Sequence, residues 1–109
     1  AENYDGYLRW AYNSWTMDPL ADARFRTWPA GDCFVVYPGG RGSVRFSKLV
    51  EGIQDFEKIR ILKEQWRKED DDSKLGQLAE ILKSFSSEKL LEEGSANALT
   101  AARSFLDKQ

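Results

Sequence analysis

Apolar and polar positions change rhythm three times along this chain. Residues 7–12, rich in Tyr and Trp, alternate weakly and predict a strand, with Asn13, Ser14 and Trp15 as its loop end. From Thr16 to Asp32 the periodicity is lost and two prolines, Pro19 and Pro29, intervene. That stretch predicts a long loop of roughly fifteen residues, a length often tied to function. Phe34, Val35, Val36 and Tyr37 then form a continuous apolar run. Such a run suits a strand buried on both faces, as in a parallel sheet. Pro38, Gly39 and Gly40 stop it. Ser43 is a candidate N-cap for the next helix. Its apolar positions Phe46, Leu49, Val50, Ile53, Phe56, Leu62 and Trp66 mostly keep helical spacing. Gly52 inside that helix costs about 1 kcal/mol relative to Ala. It is expected to mark close contact with a neighbouring element.

After Lys63 the character changes. Residues 67–74 read as a charged connector containing Glu69, Asp70, Asp71 and Asp72. Asp72 or Ser73 can cap a helix over 74–85, with Leu75, Leu78, Ala79 and Leu82 on one face. Ser86 or Ser87 can cap a shorter helix to Glu93, stopped by Gly94. Ser95 caps a last helix whose stripe is Ala98, Leu99, Ala102, Phe105 and Leu106. The chain thus divides into residues 1–66, strands with a long loop and a helix, and 67–109, a helical tail. A single βα unit cannot bury both faces of its strand, so a larger molecule is expected.

Composition narrows the function classes. A hydrophobic share of 41% beside 31% charged residues fits a folded domain rather than disorder. A net charge of -2 with no broad basic patch argues against nucleic-acid binding. No apolar run approaches the ~20 residues of a membrane span. The sequence opens Ala1-Glu2-Asn3 without Met and shows no signal peptide, as expected of a trimmed or cleaved piece. Cys33 is the single cysteine and there is no histidine, which excludes an internal disulfide and His-based catalytic or zinc sites within one chain. No metal or other cofactor is expected.

Several candidate sites reduce to structure. The acidic run 69–72 lacks the alternating ligands of a calcium loop and reads as a solvated turn and cap. The turn 38–43 precedes a helix but lacks the Lys-Ser/Thr pair of a phosphate loop. Asp55 and Glu57 are two apart on a helix, so they do not face each other. Ion pairs with neighbours such as Lys58 or Arg60 are expected instead. The stronger signal is aromatic. Trp10, Tyr12, Trp15, Trp28 and Tyr37 fall on strand ends or the long loop, beside Asn13, Asp18, Asp22 and Asp32. Flat rings next to amides and carboxylates suit sugar recognition, because a ring stacks on the apolar face of a pyranose while polar groups take its hydroxyls. The same rings would equally serve to cover a core or an interface.

Tyr12-Asn13-Ser14-Trp15, Asp18-Pro19, Trp28-Pro29-Ala30-Gly31-Asp32, Val36-Tyr37-Pro38-Gly39, Ser43-Val44-Arg45-Phe46 and Glu51-Gly52-Ile53-Gln54-Asp55-Phe56-Glu57-Lys58 follow in order. Over roughly residues 8–62 the sequence resembles the C-terminal part of the glycoside hydrolase family 123 proteins, the β-N-acetylgalactosaminidases and their bacterial relatives. The resemblance implies an α/β fold, the last two βα units of a TIM-type (β/α)8 barrel plus a C-terminal helical tail, mostly helical as an isolated fragment. It implies a substrate-assisted retaining hydrolysis of N-acetylhexosamine glycans, in which the substrate's acetamido group attacks the anomeric carbon, an Asp orients that group and an adjacent Glu is the acid/base. This sequence has no Asp-Glu dipeptide; Glu69-Asp70 is reversed and lies in the tail. The piece is therefore expected to hold no catalytic residue and to be inactive alone.

Tyr12, Asn13, Trp15 and Tyr37 are the residues expected to line the sugar pocket. Asp32, preceding its strand, and Trp10, which would alternatively point into a barrel, are further candidates. Arg45 with Glu51, Asp55 and Glu57 is expected to hold the last helix in place. The resemblance also suggests a parent exported to the periplasm or cell surface of a bacterium, with the glycan met through the full-length protein. Two other readings stay open: a stand-alone carbohydrate-binding or protein-interaction module, and a non-catalytic relative of the barrel. A truncated sheet would expose strand edges, so self-association, by strand exchange, is expected.

Overall fold

A computed structural model describes residues 6–24 and 28–109. The opening residues 1–5 and residues 25–27 of the long loop lie outside the described residues. The chain divides into two compact units, one running to Ile53 and the other from Gln54 onward.

In the first unit neither expected strand forms among the described residues, while the mostly helical character expected of the isolated piece is found, with four α-helices among those residues. The two segments meet at one antiparallel bridge between Asn13 and Phe34. The Ser14 N–H donates to the Cys33 carbonyl at 3.0 Å and the Val35 N–H to the Tyr12 carbonyl at 2.9 Å. Two physical reasons account for this. Residues 7–10 have no ladder partner and are largely exposed, Leu8 to 95%. Beyond Val36 the chain enters a 3-10 turn at Pro38–Gly40, with Gly39 and Gly40 at φ 74° and 72°. Tyr37 N–H closes that turn on the Arg41 carbonyl at 2.8 Å. Phe34 and Val35 are buried all the same, and their backbone groups are met by Tyr12, Ser43 and Arg45 rather than by a sheet.

The long loop is held by local bonds. Asp18 accepts from the Ala21 N–H at 3.2 Å, and its carbonyl accepts from Asp22 N–H at 2.8 Å. Thr16 donates to the Asp22 carbonyl at 2.7 Å. The loop closes where the Gly31 N–H reaches the Ala23 carbonyl at 3.0 Å.

Ser43 is the cap that begins α1 (Val44–Lys68). Its hydroxyl accepts from the Phe46 N–H at 3.0 Å and donates to the Val35 carbonyl. Arg45 donates from Nε to the Phe34 carbonyl at 3.1 Å, its guanidinium 5.1 Å from the Phe34 ring centre. Gly31 makes room for it: a Cβ there would stand 2.5 Å from an Arg45 terminal nitrogen. Arg45 thus ties the first turn of α1 to Phe34 and to the turn at Gly31.

The second unit combines the later part of α1 with α2 (Asp72–Lys83), α3 (Ser87–Glu93) and α4 (Ala96–Leu106). Leu62, Trp66, Leu78, Leu82 and Leu106 form its core, with Ile59, Leu75, Phe85 and Phe105 around them. Burying a leucine fully is worth about 1.5–3 kcal/mol. Trp66 meets Phe105 edge-on, with ring centres 6.1 Å apart. Helices α2 and α4 pack against each other. Asp55 accepts from Arg103 of α4 at 2.8 Å, and Lys58 pairs with Asp107 at 3.2 Å. Of the ion pairs expected between near neighbours, Glu57–Arg60 forms at 2.8 Å, whereas Asp55 finds its partner on another helix.

Several helix details differ from expectation. The cap of α2 is Asp71, whose carboxylate accepts from the Lys74 N–H at 3.0 Å, so α2 starts at Asp72. Asp70 turns the chain there at φ 53°. Ser86 caps α3, and Gly94 ends it at φ 74°. Ser95 precedes α4 without a side-chain capping bond. Ala79 lies exposed off the α2 face. The α1 stripe is buried only at Leu62 and Trp66, while Val50, Ile53 and Phe56 are exposed. Gly52 has nothing within 4 Å of where a Cβ would sit, so no close contact explains it.

Candidate functional site

The bridge at Asn13, the 3-10 turn and the first turn of α1 converge on one open cleft of about 380 Å³. Tyr12, Asn13, Trp15 and Tyr37 line it, together with Val36, Phe46 and the backbone of Gly40 and Gly42. Each side chain is held by the local fold. The antiparallel bridge fixes Asn13 and, through its carbonyl, Tyr12. Trp15 donates its indole N–H to the Val36 carbonyl at 2.7 Å. That bond spends the ring's donor and fixes its plane. Tyr37 packs edge-on against buried Phe34, with ring centres 5.2 Å apart at 71°. Phe46 is placed by the Ser43 cap.

The lining carries no charged side chain. Four aromatic side chains and one amide can stack and hydrogen-bond there, and no carboxylate pair faces the cleft.

Asp32 and Trp10 are outside this lining. Asp32 pairs with Arg9, which bonds both its carboxylate and its carbonyl. That hydrogen bond above all holds the Asp32 carboxyl below its ordinary value, and the Trp10 side chain adds a smaller one. Trp10 stacks instead on Trp28, with ring centres 5.2 Å apart and planes at 41°. Asp18 and Asp22 serve the loop. Asp22 grips Arg24 through two bonds of 2.8 and 2.9 Å, which bring its pKa down to about 2.

Sequence reasoning assigned Phe46 to a helix stripe and read the glycine turn 38–43 as a turn and cap, not as lining of this cleft. The available signal was position: an apolar residue one turn past a cap lies beside the loop that enters the helix. The Trp10–Trp28 pairing left no signal, because it joins residues eighteen apart through an irregular loop. A second hollow, about 370 Å³ between Ile61 and Glu69, is lined by one stretch of α1 whose Lys68 and Gln65 are bonded to Glu64 and Glu69 at 2.9 Å. It is a solvated helix surface.

Residues 1–62 match the family model of the glycoside hydrolase 123 catalytic domain, which covers the cleft and every residue that lines it. The chain is thus a member of the glycoside hydrolases. Within them it belongs to glycoside hydrolase family 123. A comparison with curated proteins finds none that matches it. No helix among the described residues is long and apolar enough to cross a membrane.

Proposed function

We propose that this chain supplies part of the sugar pocket of a glycosidase acting on N-acetylhexosamine glycans of the GalNAc type. The reaction would be substrate-assisted and retaining. The observation that carries the reading is the cleft at Tyr12, Asn13, Trp15 and Tyr37, inside the residues that match the family. Aromatic faces would take the C–H side of the pyranose, and the Asn13 amide a hydroxyl or the acetamido group. The catalytic carboxylates would come from outside this chain, since it contains no Asp-Glu pair and its cleft no carboxylate. In this reading residues 1–66 correspond to the end of a (β/α)8 barrel, where segments bridged only once here would gain strand partners. Residues 67–109 would be an appended tail.

The test is a chromogenic N-acetyl-β-galactosaminide assay on the full-length protein and on this chain. Activity in the first and none in the second is expected. Tyr37→Ala and Trp15→Ala in the full-length protein should each lower kcat/KM by roughly ten- to a hundredfold, the scale of losing 1.4–2.8 kcal/mol of transition-state binding. Unchanged kcat/KM in both variants would remove the cleft from the active site.

A further inference from the structure

The apolar run that makes no sheet has its carbonyls taken by side chains. Arg45 Nε donates to the Phe34 carbonyl at 3.1 Å, the Ser43 hydroxyl to the Val35 carbonyl, and the Trp15 indole to the Val36 carbonyl at 2.7 Å. Ser43 stands apart in this trio. Among the described residues it is the one polar residue that is buried. Its oxygen also accepts from the Phe46 N–H at 3.0 Å. One hydroxyl therefore joins two parts of the cleft. On one side is Val35, next in sequence to Val36 of the lining and bonded through its N–H to the Tyr12 carbonyl at 2.9 Å. On the other side is Phe46, the lining residue supplied by α1. The hydrogen bonds run without a break from Tyr12 through Val35 and Ser43 to Phe46. All four residues belong to the unit that ends at Ile53.

Capping alone does not call for this hydroxyl. An N-cap has only to accept, and Asp, Asn and Gly begin helices about as well as Ser or Thr. Donation to Val35 is a separate task. Of the good caps, only Ser and Thr carry acceptor and donor on one oxygen. Val35 is buried, and a buried carbonyl that loses its donor shifts until it finds another. We propose that Ser43 is a positioning residue for the sugar cleft: its hydroxyl sets the separation between the Tyr12 and Val36 side and Phe46, and so the width open to a pyranose ring. This rests on the carbohydrate reading above.

The experiment compares Ser43→Thr, Ser43→Asp and Ser43→Gly with wild type in the full-length protein, on the chromogenic N-acetyl-β-galactosaminide, resolving kcat from KM. An ionised Asp keeps the cap and cannot donate; Gly lacks the hydroxyl and caps only slightly less well. Both variants should raise KM about tenfold with kcat within about twofold of wild type, since a displaced wall weakens ground state and transition state alike. Thr, which keeps both bonds, should hold KM within about twofold. A purely structural role gives another pattern: lost folded protein lowers the apparent kcat and leaves KM in place. That pattern, or wild-type KM in Ser43→Gly and Ser43→Asp, overturns the proposal. So does a KM in Ser43→Thr raised as far as in Ser43→Gly. Where Ser43→Asp fails to fold, Ser43→Gly decides alone. Tyr37→Ala and Trp15→Ala are run beside them. If these lower kcat/KM while Ser43→Gly leaves KM unchanged, the cleft reading stands and the role of Ser43 falls. If both leave kcat/KM unchanged, or the full-length protein is inactive, the cleft reading fails and the role of Ser43 with it.

Discussion

Gly31 and Gly52 look alike in the sequence and behave oppositely in the fold. Gly31 sits at φ 77° with the Arg45 guanidinium against its Cα. A side chain there meets both a left-handed backbone and an occupied space. Gly31→Ala is expected to cost about 1–2 kcal/mol from the backbone alone, and more if Arg45 leaves Phe34. Gly52 lies in helical backbone with open space around it. Gly52→Ala in this chain is expected to stabilise by about 0.5–1 kcal/mol. Urea denaturation of both variants checks the pair, and a destabilised Gly52→Ala would mean that something covers that face in solution. Residues 16–32 are expected as a long loop, and Gly31 turns the chain within it. The partner it accommodates is fourteen residues away, which no local pattern encodes.

Helices were legible because their signals are local. Ser43 and Ser86 cap as their positions suggested, and Gly94 stops α3. Helix α2 begins two residues before the expected 74, because Asp70 turns the chain at a left-handed φ and Asp71 then caps through its carboxylate. Strands were not legible in the same way. A strand is defined by its partner, and the single bridge at Asn13 and Phe34 is all the partnership these segments find. The Asp71 cap makes a pH prediction. Its carboxyl is held below the ordinary 3.8, chiefly by the Lys74 backbone N–H and then by the Lys74 side chain. Its contribution is therefore complete above that ordinary value and is lost as pH falls through the lower folded value. Asp71→Ala should melt below wild type at about pH 7 and converge with it at about pH 2, read by circular dichroism. A constant difference between the two would show that the charge is not what caps α2.

At the scale of the whole molecule, large apolar side chains remain in water. Val50, Ile53, Phe56 and Ile61 on α1 are among them. Val50, Ile53 and Phe56 belong to the helically spaced apolar series expected to face a core, and Ile61 falls outside it. Large apolar side chains left in water favour association. Self-association is expected, now through helix faces rather than strand exchange. Light scattering at crystallisation concentrations should return more than the monomer mass, and Ile53→Lys should shift it back toward 12.5 kDa. A monomer mass for the unaltered chain would contradict this. The second unit has its own topological lesson. Helix α3 buries no residue, yet it joins α2 and α4, which pack directly on each other. Its helicity is thus incidental to what it achieves, which is to span a gap at fixed contour length. Closing that gap costs chain entropy that rises only with the logarithm of length. The segment from Ser86 to Ser95 is in effect a tether, the place where this unit tolerates insertion, exchange or a new pair of termini with least disturbance to its core.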